Sequence, residues 1–229
     1  MKQLLSTKIL SPKQKEIIPS SGFRLTEYNA INIEYREFSL PGEFDHYIFT
    51  SQNAVRGFLR VLDHLQLPKK HAEVLAHSCF CVGQKTSSLL IENGFKITKT
   101  AQNSRDLAHF IVKSYKNASF LFICGNLRRA ELPDILTKHT VRYKEIIAYN
   151  TVYNTRKIPG VFDGVLFFSP SGVQSFVAMN ELQGIEAFCI GETTAAEASL
   201  FTAKIVVAKN QTTESVIQSA LTYFVKKHE

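Results

Sequence analysis

A chain of 229 residues, 45% hydrophobic and 21% charged, is long enough for one large or two small domains, and none of its apolar runs approaches the ~20 residues that span a bilayer. The opening MKQLLSTKILSPKQKE has too short an apolar run, and no small-residue cleavage site, to read as a secretion signal. The net charge of +7 is spread over scattered lysines and arginines, with no basic run interleaved with aromatics, which argues against nucleic acid and leaves a small polyanion open.

In chain order, KQLLSTKIL (2–10) predicts a strand that ends at the Ser11-Pro12 step, and INIEYREF (31–38) alternates as a half-buried strand does. HYIFTS (46–51) predicts a strand feeding a helix over 53–65. HSCFCVG (77–83), FKITKT (95–100), SFLFICG (119–125) and VRYKEIIAY (141–149) predict further strands. Helices over 86–95, 104–115 and 132–139 fall between them. IIAYNTVYN (146–154) alternates again, and from about residue 161 three strand–helix pairs run to the end.

The chain repeats itself. YIFTSQNAVRGF (47–58) is answered by VLFFSPSGVQSF (165–176), with Asp45 and Asp163 at the same offset before each. FCVGQKTSS (80–88) is answered by FCIGETTAA (188–196), which matches Gly83 to Gly191 and Thr86 to Thr194. NSRDLAHFIV (103–112) is answered by QTTESVIQSA (211–220). Four blocks in one order imply two copies of one α/β unit. The expected fold is α/β, with two similar parallel-sheet, flavodoxin-like domains joined by a two-stranded β linker. The domains are 1–30 with 155–229, discontinuous, and 39–146, inserted into it; the linker strands are 31–38 and 147–154. The second copy reads one strand short, and the N-terminal segment is expected to supply it.

Ligands of open parallel sheets bind beyond the carboxyl ends of the strands. Asp45 and Asp163 precede their strands and read as structural. Ser51, Gly83, Lys85, Thr86, Gly125, Asn126, Ser169, Ser171, Gly172, Gly191, Thr193 and Thr194 follow strands, on helix-opening loops. Hydroxyls there cap helices, and together with free amides they also bind anions. Arg128, in CGNLRRAELPDIL, precedes a helix start, where a bound anion or a solvated face would each account for it. Tyr149 and Tyr153 offer phenols that could donate a proton. Cys79, Cys81, Cys124 and Cys189 lie in apolar runs without CxxC spacing and read as buried free thiols in a reducing cytosol. The seven histidines (46, 64, 71, 77, 109, 139, 228) have no ligand spacing, so no metal is expected. No P-loop, GxGxxG or GxSxG is present.

FTSQNAV, VGQKT, CGNLRR, AYNTV, FFSPSGV and CIGETTA, in that order across about residues 47–220, resemble the uroporphyrinogen-III synthase family. The resemblance implies two α/β lobes joined by a two-stranded ladder, with a cofactor-free site in the cleft. The implied substrate is hydroxymethylbilane, a linear tetrapyrrole polycarboxylate, which a lyase closes to uroporphyrinogen III with inversion of the last ring. Tyr149 matches the family's tyrosine and is the implied acid. Ser51, Thr86, Ser169, Ser171 and Thr194 match its cleft hydroxyls and are expected to bind carboxylates. The expectation is a cytoplasmic monomer without cofactor, membrane or nucleic-acid partner. The alternative is a cytosolic two-lobed binding or sensor domain for a polyanionic small molecule, without catalysis.

Overall fold

The computed structural model describes residues 1–20, 22–64 and 74–226. Leu65, His71 and His228, which enter the reading above, lie outside them. The chain divides into two compact units, Met1–Asn32 with Val152–Glu229 and Ile33–Thr151. The elements are β1 (Lys2–Ser6), α1 (Pro12–Lys15), β2 (Phe23–Glu27), β3 (Ile31–Tyr35), β4 (His46–Phe49), α2 (Gln52–His64), β5 (Ser78–Val82), α3 (Gln84–Glu92), β6 (Lys96–Ala101) and α4 (Ser104–Ser114). There follow β7 (Ser119–Gly125), α5 (Glu131–Lys138), β8 (Arg142–Tyr153), β9 (Gly164–Phe167), α6 (Pro170–Val177), β10 (Glu186–Cys189), α7 (Glu192–Ala198), β11 (Ile205–Val207) and α8 (Thr213–Lys226).

Unit 1 carries a five-stranded sheet in the order β11-β10-β9-β1-β2, parallel throughout. Counted along this unit the order is 2-1-3-4-5, the flavodoxin-like arrangement. The N-terminal segment supplies two strands where one was expected. FRLTE was missed because, as an edge strand, it buries no side chain fully and shows no clean alternation. In unit 2 the order is β3-β8-β7-β4-β5-β6. With β4, β5 and β6 matched to β9, β10 and β11 by the repeated sequence blocks, β7 and β8 take the places of β1 and β2. The two five-strand orders then coincide, as a duplicated unit requires.

Strand chemistry follows burial. β7 is fully buried along six of its seven residues, because α2 covers one face of the sheet and α4 and α5 cover the other. Leu121 and Ile123 join one core cluster, and Phe120, Phe122 and Cys124 the opposite one. All four cysteines are buried and unpaired. α3 ends earlier than the 86–95 reading, at Glu92. Gly94 adopts a φ of 82°, and the Phe95 N–H closes back on the Leu90 carbonyl at 3.1 Å, a left-handed stop that glycine takes without strain.

The duplication is visible in paired details. Asp163 accepts the Gln3 N–H at 2.8 Å, and Asp45 accepts the Ser119 N–H at 2.7 Å. Each carboxylate clamps the start of the neighbouring strand at the amino end of its sheet. On the first helix after each clamp, Ser175 donates its hydroxyl to the Ala30 carbonyl at 2.5 Å. At the matching place a Cβ on Gly57 would lie 2.7 Å from the Ala148 carbonyl oxygen. One copy bonds that carbonyl and the other makes room for it.

Candidate functional site

In unit 2 the carboxyl ends of β4, β7 and β8 gather Ser51, Gly125 and Tyr149. The Ser51 Oγ accepts the Ala54 N–H at 3.1 Å, capping α2, and lies 3.1 Å from the Tyr149 hydroxyl. A β-bulge aims that phenol. The register of β7 on β8 steps from Cys124↔Ile147 to Gly125↔Tyr149, so Ala148 is the extra residue. Simple alternation would put Tyr149 with Ile147, on the α4–α5 side. The bulge puts it with Ile146 and Ala148 on the face covered by α2. Gly125 lets the ring lie flat, since a Cβ there would come within 2.4 Å of Tyr149 Cζ. Burial pushes the Tyr149 pKa up, against the opposing bond from Ser51, with the nearby Cys124 and Tyr35 adding to the rise. The group is therefore a protonated phenol, able to donate and poorly able to act as a base.

Around this centre the structure distributes the other sequence candidates unevenly. The Asn126 N–H donates to the Tyr149 carbonyl at 3.2 Å and its Oδ1 accepts the Thr151 N–H at 2.7 Å, so Asn126 prolongs the ladder beside the phenol. Gly83, at a φ of 82° and without a side-chain cap, opens α3. Lys85 is exposed on its first turn, while Thr86 points inward and is buried. Arg128 donates from Nε to Glu145 at 2.8 Å, so an internal carboxylate accounts for a cation ahead of α5. In unit 1 the Glu27 carboxylate is met by Lys15, from the last turn of α1, at 2.5 Å.

In unit 1 the matching corner has a different chemistry. The Ser169 Oγ accepts the Gly172 N–H at 3.0 Å, capping α6, and lies 3.0 Å from the Ser171 hydroxyl. No phenol replaces Tyr149, because the residue after Ala30 is Ile31. Thr7 completes the corner. Its hydroxyl donates to the Leu166 carbonyl at 2.7 Å, and a Cβ on Gly172 would stand 3.6 Å from it. Sequence reasoning missed Thr7, although a hydroxyl directly after the β1 run carried the same signal as Ser169 after β9. Gly191 opens α7 without a side-chain cap; Thr193 is exposed beside it and Thr194 is buried. Tyr153 donates to the Gln174 Oε1, and the Gln174 Nε2 to Glu197 at 3.2 Å.

Asp45, His46 and His77 border a groove of about 1160 Å³ at the amino end of the unit 2 strands, the end opposite Ser51 and Gly125. The His46 ring stands 5.1–5.4 Å from Phe80, Tyr115 and Phe120, and burial pushes its pKa down. It is an aromatic core member. Among the described residues no group of three or more His, Cys, Asp and Glu gathers to hold a metal, and no helix is long and apolar enough to cross a membrane.

The family model described as “Uroporphyrinogen-III synthase HemD” matches residues 14–218. A curated relative, the porphyrin biosynthesis protein HemD of Ruminiclostridium josui, is 27% identical over 250 residues, covering 96% of this chain and 49% of that protein. The chain thus spans about half the length of the curated relative it matches. Uroporphyrinogen-III synthetase from Helicobacter pylori 26695 superposes with a TM-score of 0.74 at 19% identity, over 97% of this chain and 100% of that one. A mutant uroporphyrinogen III synthase from the extremely thermophilic bacterium Thermus thermophilus gives a TM-score of 0.74 at 13% identity, over 99% and 100%. At those identities the likeness is one of fold.

Proposed function

The chain belongs to the uroporphyrinogen-III synthase family, and on that footing we propose that it closes hydroxymethylbilane to uroporphyrinogen III and water, inverting the last pyrrole ring, in tetrapyrrole biosynthesis. The observation that carries the reading is the Tyr149 phenol, held beside Ser51 and over Gly125 at the carboxyl end of its sheet. The reaction begins with loss of the terminal hydroxyl, which needs a proton. Tyr149 donates that proton and water departs, leaving an electrophilic azafulvenium beside the phenolate. The last ring attacks it through its substituted carbon, the resulting spiro species fragments and recloses with that ring turned over, and the proton shed from the newly bonded ring carbon restores the phenol. The reactant is activated already and closes unaided to the uninverted isomer, so the protein's work is chiefly to hold the ends in the less accessible geometry. Nothing in that sequence calls for a cofactor.

The capping hydroxyls and open helix amides support carboxylate binding. Ser51, Ser169 and Ser171, with the amides near Gly83, Gly125, Gly172 and Gly191, are the groups we assign to it, alongside Lys85, Asn126 and Thr193; Arg128 answers to Glu145 instead. Thr86 and Thr194, being buried, act through the backbone turns they hold. The unpaired buried thiols support a reducing compartment, the cytoplasm. We take the active form to be a monomer without a nucleic-acid partner. The test is the isomer assay: purified protein given hydroxymethylbilane should yield predominantly the type III isomer after oxidation. Type I alone would leave a binding or sensor role for a polyanion.

A further inference from the structure

A second phenol faces Tyr149. The Arg36 N–H donates to the Ala148 carbonyl at 3.0 Å, and farther along the same two strands the Asn154 N–H donates to the Ala30 carbonyl at 2.8 Å. Both bonds fall on one antiparallel register, in which each step back along β3 is a step forward along β8. Tyr35 therefore stands opposite Tyr149, and opposite residues of such a pair project from the same face. The burial of β3 agrees: Ile31, Ile33 and Tyr35 are half-buried, whereas Asn32 and Glu34 are exposed. Independently, the Arg60 Cζ of α2 stands 5.1 Å from the centre of the Tyr35 ring. It is the Ser51 cap of that same helix that meets Tyr149.

Arg56 lies one turn nearer the α2 N-terminus and donates to the Gln52 Oε1 at 3.4 Å. Both arginines lean toward the helix start, as helical side chains do, and hence toward the Ser51 corner. Both are exposed. Among the described residues neither forms an ion pair.

We propose that Tyr35, Arg56 and Arg60 form a carboxylate subsite flanking Tyr149, which takes one acidic side chain of the linear tetrapyrrole. The inference rests on the function proposed above and adds to it a charged contact outside the helix-opening loops. The Tyr35 ring is the platform that seats the Arg60 guanidinium. The guanidinium forks then meet the carboxylate in a paired geometry that a lysine cannot reproduce. Because the subsite is exposed, its contribution is screened by salt.

Steady-state turnover of hydroxymethylbilane tests this directly. Arg56→Gln/Arg60→Gln should raise KM about tenfold at low salt with kcat little changed and the type III product retained. The gap between variant and wild type should narrow at about 0.5 M salt. Tyr35→Phe, which keeps the ring, should disturb KM less than Tyr35→Leu, which unseats Arg60. Quenching of uroporphyrin III fluorescence reads the same subsite without turnover, and the double variant should bind that polycarboxylate about tenfold more weakly. Wild-type KM and wild-type quenching in the double variant would overturn the subsite and leave the proposed reaction standing. Type I product from the wild-type protein, with weakened quenching in the variant, would do the reverse.

Discussion

Gly125 and Tyr149 occupy one another's space: a Cβ built on the glycine lies 2.4 Å from the Cζ of the tyrosine and 2.8 Å from its hydroxyl. No rotation of a methyl group relieves such contacts, so a side chain at 125 must expel the ring. Gly125→Ala should therefore separate the phenol from Ser51 and lower kcat for cyclisation at least about tenfold, toward the loss expected when an acid is misplaced. The unit 2 sheet should remain folded, and circular dichroism alongside the kinetics checks both parts.

Tyr149→Phe keeps the ring and removes only the donor. Turnover should fall roughly a hundredfold, while product binding weakens far less. The pH dependence carries a sign. Burial raises the phenol pKa above its ordinary 10.0, so wild-type activity should not decline with this group's ionisation until the pH has passed that value. A descending limb well below pH 10 that vanishes in Tyr149→Phe would contradict the assignment.

The duplicated capping serines provide an internal comparison. Ser51→Ala and Ser169→Ala each remove one cap and should each cost about 1 kcal/mol of stability. Ser51 also lies 3.1 Å from the Tyr149 hydroxyl. Thermal melts should match to within a few degrees, whereas kcat should fall distinctly more for Ser51→Ala.

Asp163 is a structural clamp. Its partial burial works against the carboxylate, but the Gln3 N–H and the Lys2 ammonium at 3.0 Å outweigh it and lower the pKa below 3.8. A depressed folded-state pKa contributes stability above the unfolded value, and that contribution is lost as pH falls through the folded one. Asp163→Asn should therefore lower Tm by about 2–4 °C near pH 7, a modest figure for a part-exposed pair. The difference should close below pH 3.8, with cyclisation unaffected.

Tyr28 is nearly sealed in the unit 1 core, at 2% exposure, and its hydroxyl has no hydrogen-bond partner among the described residues. Burial raises its pKa to about 12, so the group stays neutral and its penalty is that of an unsatisfied donor. Tyr28→Phe keeps the ring under the Arg156 guanidinium, 5.0 Å away. It should raise stability by about 1 kcal/mol in denaturant unfolding.

Much of the site was legible because helix capping is local. A hydroxyl directly after a buried run announces both the end of a strand and the start of a helix, and Ser51 and Ser169 behave as that pattern says. Arg128 was not legible to the same degree. Its partner Glu145 is 17 residues away, and nothing near CGNLRR names it. Thr86 and Thr194 read as cleft hydroxyls on helix-opening loops, and their position on the first helical turn rotates them inward, where both are buried.

By itself, the sequence determined the two-copy α/β plan, the strand-ending corners and the clamp aspartates, because periodicity, capping and repetition depend on neighbours along the chain. The tertiary structure alone decided the strand order, the second strand that the N-terminal segment gives to unit 1, and the face from which Tyr149 projects. Strand pairing is chosen between distant segments. One extra residue at Ala148 then reverses the alternation that a linear reading must assume.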